Sequence, residues 1–419
     1  MSIRIAKQAW TLFILSIILC FSEGKTPENI GVIQTDREAA ITAAEFPRET
    51  TEQSNSAEIL YVEDAEGMKL LPEQEELLRS YMEVYYQSLA SLEIQDFGTL
   101  FSDPEQELLA EQTLFFHISM RKMQKADYSL VSYRYTLKCE NIKKQEDGTL
   151  RVFVGEDNVQ NFRQTPKVDS QRFGAYHRFV LEEKDGIWYI QSHMLFDGLY
   201  MVLYQGDIEQ DLTDAYMEYL PEYLALIQEE VEYREMQREW EPVTMEADHG
   251  YDREAAVAYA DSYIEVTNPE WPYYGGRGGN CQNYASQCLI AGGIPMDPYG
   301  SSVWKWYSES LSNGAGQQGR SSSWTGVDQF VHYVRNNSGY GLVAEAEAPY
   351  YTGEPGDLLH LGTEGDWRHT VVIAFRIEDE SGKVLDYLVD SNTGDLRNYP
   401  ASLYGYPRIA LTRIFGWNE

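Results

Sequence analysis

The chain has 419 residues, of which 67 are acidic and 33 are basic, so its formal net charge at pH 7 is −34. This charge disfavours binding to nucleic acid and to anionic lipid surfaces, because like charges repel each other. The hydrophobic content of 43% is enough for ordinary globular cores, and the length predicts about two or three domains.

The cysteine and motif content excludes several classes of site. The four cysteines, Cys20, Cys139, Cys281 and Cys288, are too few to indicate a disulfide framework. The common zinc, dinucleotide and phosphate-loop motifs do not occur in the sequence. We therefore predict no metal, no cofactor and no nucleic-acid partner.

Residues 1–22 have the pattern of a secretory signal peptide. Two basic residues precede an apolar run from Ala9 to Phe21, which is short for a membrane-spanning helix. The sequence predicts a secreted or extracytoplasmic protein, associated with the cell envelope, that meets a membrane only if this signal stays uncleaved. Residues 23–70 are rich in small polar and acidic side chains and are predicted to be a flexible linker.

Residues 71–200 are predicted to form a smaller N-terminal α+β domain. Two helices begin near Pro72 and Pro104 and are followed by four alternating segments that predict an antiparallel meander. These segments are Tyr128 to Asn141, Thr149 to Phe162, Gln171 to Leu181 and Trp188 to Phe196. The order of elements resembles the nuclear-transport-factor-like cone folds. His177 and His193 lie on strands and are interpreted as ordinary sheet residues.

Residues 201–248 are predicted to be a helical connector that is interrupted at Pro221 and carries its acidic residues on a solvated face. The second domain, residues 249–419, then opens with a helix capped by Asp252. Farther along, Trp304 and Trp324 belong to an aromatic region that fits either a substrate cleft or a packed core.

The stretch from Asn280 to Gly293 predicts a buried helix that begins at a cysteine. Asn280 is a suitable N-cap, Cys281 opens the helix, and a glycine pair ends it. A helix N-terminus lowers the pKa of a thiol, and the thiolate is the reactive form. Cys281 is therefore a candidate nucleophile, and the alternative is that it is only a small core residue.

A nucleophilic thiol needs a base, and His369 is the main candidate. It heads a predicted strand whose apolar residues share its side. Asp390 and Asn392 share one face of the next predicted strand, and either could orient the imidazole. His332 and His360 are rival bases; His332 is predicted to face solvent, whereas His360 lies in the preceding strand.

Several motifs together resemble the bacterial putative amidase domain family. They are Tyr251-Asp252-Arg253, Asn280-Cys281-Gln282-Asn283-Tyr284-Ala285-Ser286-Gln287-Cys288, Gly356-Asp357-Leu358-Leu359, His369 and Ser391-Asn392-Thr393. The resemblance covers about residues 249–417. It implies a papain-like fold, related to the NlpC-type and CHAP cysteine hydrolases.

Position by position, the resemblance implies that Cys281 is the nucleophile, His369 the base and Asn392 the third polar residue. It also implies that Asn283 and Gln287 support the helix. Many family members have Asp and His at the positions of Asn280 and Asn392, so a charged orienter is missing here unless Asp390 supplies it.

The expected function is that of an exported cysteine amidase or peptidase, a thiol hydrolase that cleaves amide bonds. Peptidoglycan peptides are the natural candidate substrate for such an enzyme outside the cell. Two alternatives stay open: a catalytically inactive extracellular binding module, and a thiol acyltransferase.

Overall fold

The structure is a computed structural model of the chain, and it describes residues 55–62, 68–197, 213–275, 280–363 and 365–419. The predicted signal peptide and most of the predicted linker lie outside these ranges. Within the described ranges, no helix is both long enough and apolar enough to cross a membrane.

The helices of the described residues are α1 (Pro72–Ser91), α2 (Pro104–Met123), α3 (Thr213–Met236), α4 (Arg253–Ser262), α5 (Cys281–Ala291), α6 (Ser322–Thr325) and α7 (Val327–Asn336). The strands are β1 (Ser56–Tyr61), β2 (Leu130–Lys144), β3 (Leu150–Phe162), β4 (Ser170–Lys184), β5 (Ile187–Leu195), β6 (Gly341–Ala348), β7 (Leu358–Thr363), β8 (Asp366–Glu378), β9 (Val384–Ser391), β10 (Leu396–Pro400) and β11 (Arg408–Asn418).

The strands form one mixed sheet in the order β1-β2-β3-β4-β10-β9-β8-β7-β11-β6, and β5 pairs with β4 off this path. Strand β1 runs parallel to β2, whereas the other strand pairs are antiparallel. The predicted α+β class is thereby confirmed. The more specific papain-like and cone-like architectures stay predictions.

The N-terminal half has the predicted order of two helices followed by a meander. Proline opens both α1 and α2, where its missing N–H costs nothing because the first turn of a helix has no acceptor for it. Asp103 caps α2 by accepting a hydrogen bond from the Glu105 N–H at 2.9 Å. Strands β2 to β5 occupy the four segments that the alternation predicts.

The two strand histidines are buried parts of this sheet. Nδ1 of His177 lies 3.0 Å from Nε2 of His193, and Nε2 of His177 lies 3.1 Å from a carboxylate oxygen of Glu156. No cluster of three or more His, Cys, Asp or Glu side chains in the described part of the chain could hold a metal. The prediction that both histidines lie within the sheet is confirmed.

Helix α3 corrects the prediction of an interrupted connector. The helix continues through Pro221, which is exposed, so water can satisfy the carbonyl that loses its N–H partner there. The helix is also more than a solvated spacer, because Tyr216, Tyr223 and Ile227 are buried in a core shared with α2. It therefore packs as an integral element.

Strand pairing and core packing connect the two sides of the predicted boundary near residue 249. Strand β4 of the N-terminal half pairs with β10 of the C-terminal half. The main core of the N-terminal half also contains Leu388, Tyr399 and Leu403. Independent folding of residues 249–419 stays a prediction, and such a fragment would expose these side chains to water.

Asp386 is the buried polar centre of the junction between the halves. Its Oδ2 accepts hydrogen bonds from the hydroxyls of Tyr128 and Ser402, each at 2.5 Å. Its Oδ1 accepts from the Tyr350 hydroxyl at 2.5 Å and from the Tyr387 N–H at 2.8 Å. Because Tyr128 comes from the N-terminal half, this one carboxylate joins both halves.

Candidate active site

Helix α5 begins at Cys281, as the sequence predicts, but Asn280 does not cap it through its side chain. The Asn280 Oδ1 instead accepts hydrogen bonds from the Tyr274 N–H at 3.1 Å and from the Asn283 side-chain amide at 2.8 Å. The predicted capping bond is therefore wrong, because these two donors occupy the oxygen. Asn280 ties the residues before the helix to its first turn.

The polar side of α5 is buried together with its apolar side. All residues of the range 281–289 are buried. Oδ1 of Asn283 accepts a hydrogen bond from the Trp324 indole N–H at 2.8 Å, and Oε1 of Gln287 accepts from the Tyr259 hydroxyl at 2.7 Å. Buried amides need such partners, because an unpaired polar group in a core costs free energy. These bonds fix the helix in position.

The tryptophans of this region belong to the core. Trp304 and Trp324 are completely buried, and their rings stack with centroids 5.1 Å apart. The indole N–H of Trp304 donates to the Ser286 hydroxyl at 3.0 Å. Of the two interpretations of the aromatic region, core packing is therefore confirmed for Trp304 and Trp324.

The Cys281 thiol lies beside β8, next to the position of His369. The backbone N–H groups of Thr370, Gln282 and Cys281 itself lie near the sulfur and favour its thiolate form. Oγ1 of Thr370 donates to Oε1 of Gln282 at 2.8 Å and so ties the helix start to the strand. The sulfur therefore lies beside the backbone of Thr370, the residue that follows His369 in β8.

The Thr370 N–H is beside the helix start because β9 ends there. Val372 pairs with Asp390, so the register places Asn392 opposite Thr370, one residue beyond the last residue of β9, Ser391. The start of α5 thus lies where β9 separates from β8.

The Asn392 side chain fixes the end of β9 by hydrogen bonds to residues before helix α5. Its Oδ1 accepts a hydrogen bond from Nδ2 of Asn280 at 2.8 Å. Its Nδ2 donates to the carbonyls of Tyr263 and Ile264 at 2.6 and 2.7 Å. Asn392 therefore connects the end of β9 to the residues that precede the nucleophile.

Burial raises the pKa of the Cys281 thiol, and the backbone N–H groups around the sulfur oppose that shift. The sequence predicts a pKa lowered by the helix N-terminus, and this expectation is wrong because desolvation outweighs the stabilisation of the thiolate. The residue therefore rests as a neutral thiol, so that a base must take its proton during any attack.

His369 lies near the start of β8 and is buried. Burial lowers the pKa of its imidazole to about 4, so the ring is neutral near pH 7. Its Nε2 lies 3.0 Å from Oγ of Ser391, and its ring centroid lies 5.6 Å from that of Tyr404. Among the residues that the structure describes, no hydrogen bond joins this imidazole to the Cys281 thiol.

Neither Asp390 nor Asn392 hydrogen-bonds His369 in the described structure, although the sequence predicts that one of them does. The strand register gives the reason. Directly paired residues share a face, so Asp390 lies on the face of Val372, and Asn392 follows by alternation. His369 lies on the opposite face with Ser391, the residue that sequence reasoning missed.

The Asp390 carboxyl group is buried, and in the described structure it makes no hydrogen bond to the His369 imidazole. Its Oδ1 accepts a hydrogen bond from the Asn398 N–H at 2.9 Å. Burial raises the pKa of this carboxyl to about 7, because the charged form loses its hydration. The folded protein therefore favours the protonated form, whereas the unfolded chain ionises near the ordinary value of about 4.

This difference predicts that the stability contributed by Asp390 is present below about pH 4 and is lost as the pH rises through about 7. Asp390→Asn stays neutral throughout, so its advantage over the wild type should be about 1 kcal/mol at pH 5 and should grow to on the order of 2 to 4 kcal/mol at pH 8. Thermal melts at both pH values measure this. The exposed Glu229→Gln serves as the control, and an equal effect of both variants would contradict the assignment.

His360 and His332, the rival bases, have other surroundings. Both ring nitrogens of His360 are engaged, Nδ1 with the Thr370 hydroxyl at 3.0 Å and Nε2 with the Thr412 hydroxyl at 2.9 Å. The ring is fully buried, and burial lowers its pKa to about 3. His332 is exposed on α7, as predicted. Both ring nitrogens of His360 are therefore already engaged, and His332 faces solvent.

A bacterial protein is similar to much of this chain. The chain is 28% identical over 302 residues to "Uncharacterized protein YhbB" of Bacillus subtilis (strain 168), an alignment that covers 70% of this chain and 87% of that protein. Because fewer than 302 residues follow position 250, the likeness includes part of the N-terminal half.

A solved structure, the intermembrane space region of chloroplast protein ARC6, aligns with 10% identity over 30% of this chain and 98% of that chain, with a TM-score of 0.18. A TM-score this low supports no conclusion about the fold.

The comparison with protein families confirms the resemblance seen in the motifs, for the C-terminal half. The range 250–413 matches the family described as "Putative amidase domain". This range contains Cys281, His369, Asp390 and Asn392, together with the helix and the strands that position them.

Proposed function

We propose that this chain hydrolyses amide bonds, with Cys281 as nucleophile and His369 as general base and acid. The family match over 250–413 supports the reaction class. The observation that carries the residue roles is the position of the Cys281 sulfur at the Thr370 N–H, one residue along β8 from His369. Nδ1 of His369 makes no hydrogen bond within the described structure and is open to a proton.

The reaction starts from a neutral thiol and a neutral imidazole. His369 closes on Cys281 when substrate is bound, since catalytic hydrogen bonds are often long or unformed without substrate. As the sulfur attacks the amide carbonyl carbon, Nδ1 takes the thiol proton, and the carbonyl oxygen becomes an oxyanion near the N–H of Cys281 at the helix start. The imidazolium then gives its proton to the leaving amine, and the C–N bond breaks.

The second half of the reaction releases the acid. Water attacks the Cys281 thioester while His369 accepts one of its protons, and the C–S bond breaks. The acyl group leaves as a carboxylic acid, and the thiol regains its proton from the imidazolium. Both catalytic residues return to their neutral resting forms.

For the place of action, we propose the outside of the cytoplasmic membrane and, as substrates, peptide amides of the cell envelope. The pattern at residues 1–22 supports export. The net charge of −34 gives no attraction to an anionic wall, so recognition of such a substrate would depend on local contacts near Cys281.

Amine release from a panel of muropeptides and N-acyl amides, measured with the full chain, tests this function. We expect release that stops once iodoacetamide has reacted with Cys281, located by peptide mapping. Cys281 is 4% exposed whereas Cys139 and Cys288 are 0% exposed, so it should react before these two. Release that continues after complete alkylation of Cys281 would contradict a thiol mechanism, and transfer of the acyl group to an added amine would indicate an acyltransferase.

A further inference from the structure

Ser391 is the side chain that holds the base, and the proposed mechanism gives it no role so far. We propose that Ser391 is a positioning residue that fixes the tautomer of His369, with the proton on Nε2 and the lone pair on Nδ1. The catalytic part of this inference rests on the proposed function, whereas the tautomer itself does not.

The direction of the Ser391 hydrogen bonds follows from its partners His369 and Thr393, because the nearby Tyr404 hydroxyl makes no hydrogen bond in the described structure. Ser391 is completely buried, and its Oγ lies 3.0 Å from Nε2 of His369 and 3.1 Å from the carbonyl oxygen of Thr393. A hydroxyl has a single hydrogen, and a carbonyl oxygen can only accept. The hydroxyl hydrogen therefore goes to Thr393, and the Ser391 oxygen accepts the hydrogen of Nε2.

This arrangement sets which nitrogen of His369 can act as a base. A neutral imidazole has one N–H and one lone pair, so a proton held on Nε2 leaves the lone pair on Nδ1. Nδ1 is the nitrogen that makes no hydrogen bond within the described structure. Ser391 thus performs the orienting task that the sequence assigns to Asp390 or Asn392.

The two predicted orienters are occupied elsewhere. The Asn392 amide is bonded to Asn280, Tyr263 and Ile264, and Asp390 accepts from the Asn398 N–H. Asn392 therefore positions the nucleophile through the helix start, whereas Ser391 positions the base. Ser391 and Asn392 are adjacent at the end of β9, yet they position different catalytic groups.

Kinetics of Ser391→Ala test the positioning role. Loss of the buried acceptor should reduce kcat by roughly 10- to 100-fold, because the ring then samples both tautomers and orientations. KM should change much less, since Ser391 does not touch substrate. Ser391→Thr keeps the hydroxyl and should retain most of the activity. Ser170→Ala removes an equally buried hydroxyl from β4 and should behave as the wild type.

Nitrogen-15 NMR of the histidine rings gives a readout that does not depend on turnover. The chain has seven histidines, and the His369 signals are those that disappear in His369→Gln. Near pH 7 we expect a protonated Nε2 and an unprotonated Nδ1 in the wild type and in Ser391→Thr, and mixed tautomers in Ser391→Ala. A wild-type ring protonated on Nδ1, or an unchanged tautomer in a folded Ser391→Ala protein, would overturn the proposal.

Failure of the proposed function would look different. Turnover that survives Cys281→Ala would refute the thiol mechanism while leaving the NMR result as it stands. Conversely, an inactive Cys281→Ala protein with a wild-type ring protonated on Nδ1 would refute only the role of Ser391.

Discussion

Replacing Cys281 by alanine is expected to reduce kcat for amide hydrolysis by about 10³-fold or more, because the change removes the thiol that forms the covalent intermediate in the proposed mechanism. The side chain packs against Val327, Val331 and Ala410, so loss of the small sulfur should leave the fold intact. Steady-state amine release and a thermal melt of the same preparation measure both expectations.

Cys288→Ala is the matched control for this variant. Cys288 lies in the interior of the same helix, away from its N-terminus, and is completely buried. We expect its kcat to stay within about threefold of the wild type, because the change removes only core volume. An active Cys281→Ala protein, or an inactive but folded Cys288→Ala protein, would show that the nucleophile has been assigned wrongly.

Replacing Asp386 by alanine is expected to give the largest loss of stability from a single substitution at the junction of the two halves. The change leaves the hydroxyls of Tyr128, Tyr350 and Ser402 without their acceptor inside the core. Removing one partner of a buried polar network costs about 3 to 5 kcal/mol. Thermal melts should show a midpoint lower by roughly 5 to 10 °C.

Asp379→Ala provides the comparison for Asp386. Asp379 also accepts several hydrogen bonds, from Ser381 and Lys383, but these lie within the β8–β9 turn. Its loss should move the midpoint far less, because water can replace the carboxylate there. Equal shifts for Asp379→Ala and Asp386→Ala would contradict the central place of Asp386. Tyr128→Phe removes only the hydroxyl from the N-terminal half and should give an intermediate shift.

Features that depend on local sequence could be predicted well. The helix from Cys281 to the glycine pair, the cap at Asp252 and the four strands of the N-terminal meander all follow from periodicity and turn residues. The Asp185-Gly186 turn is an example: both residues have positive φ, 53° and 78°, the geometry that a two-residue hairpin requires. Such signals act over a few residues and need no knowledge of the tertiary fold.

Features that depend on tertiary contacts could not be predicted in the same way. Alternation shows that Asp390 and Asn392 share a face, but only the pairing of β8 with β9 shows that His369 lies on the other face with Ser391. Ser391 is already part of the motif Ser391-Asn392-Thr393 in the sequence. Placing it on the same face as His369 requires the register of β8 and β9, which a sequence without pairing information does not provide.

The pKa of the nucleophile shows the same limit. A helix N-terminus predicts a lowered thiol pKa, and the structure has that helix start at Cys281. The strand and the helices that cover the sulfur remove it from water, and this burial raises the pKa instead. The size of a desolvation effect depends on how the whole chain packs, whereas the helix effect is visible in a short segment.

The most direct test of the central claim is to detect the acyl group on Cys281 during turnover. The full chain would be mixed with an amide substrate that it hydrolyses, quenched in acid at short times, digested and analysed by mass spectrometry. We predict a thioester adduct on the peptide that contains Cys281, which appears before the free acid and is absent from Cys281→Ala. Steady hydrolysis with no adduct on Cys281, or with the adduct on another residue, would contradict the account.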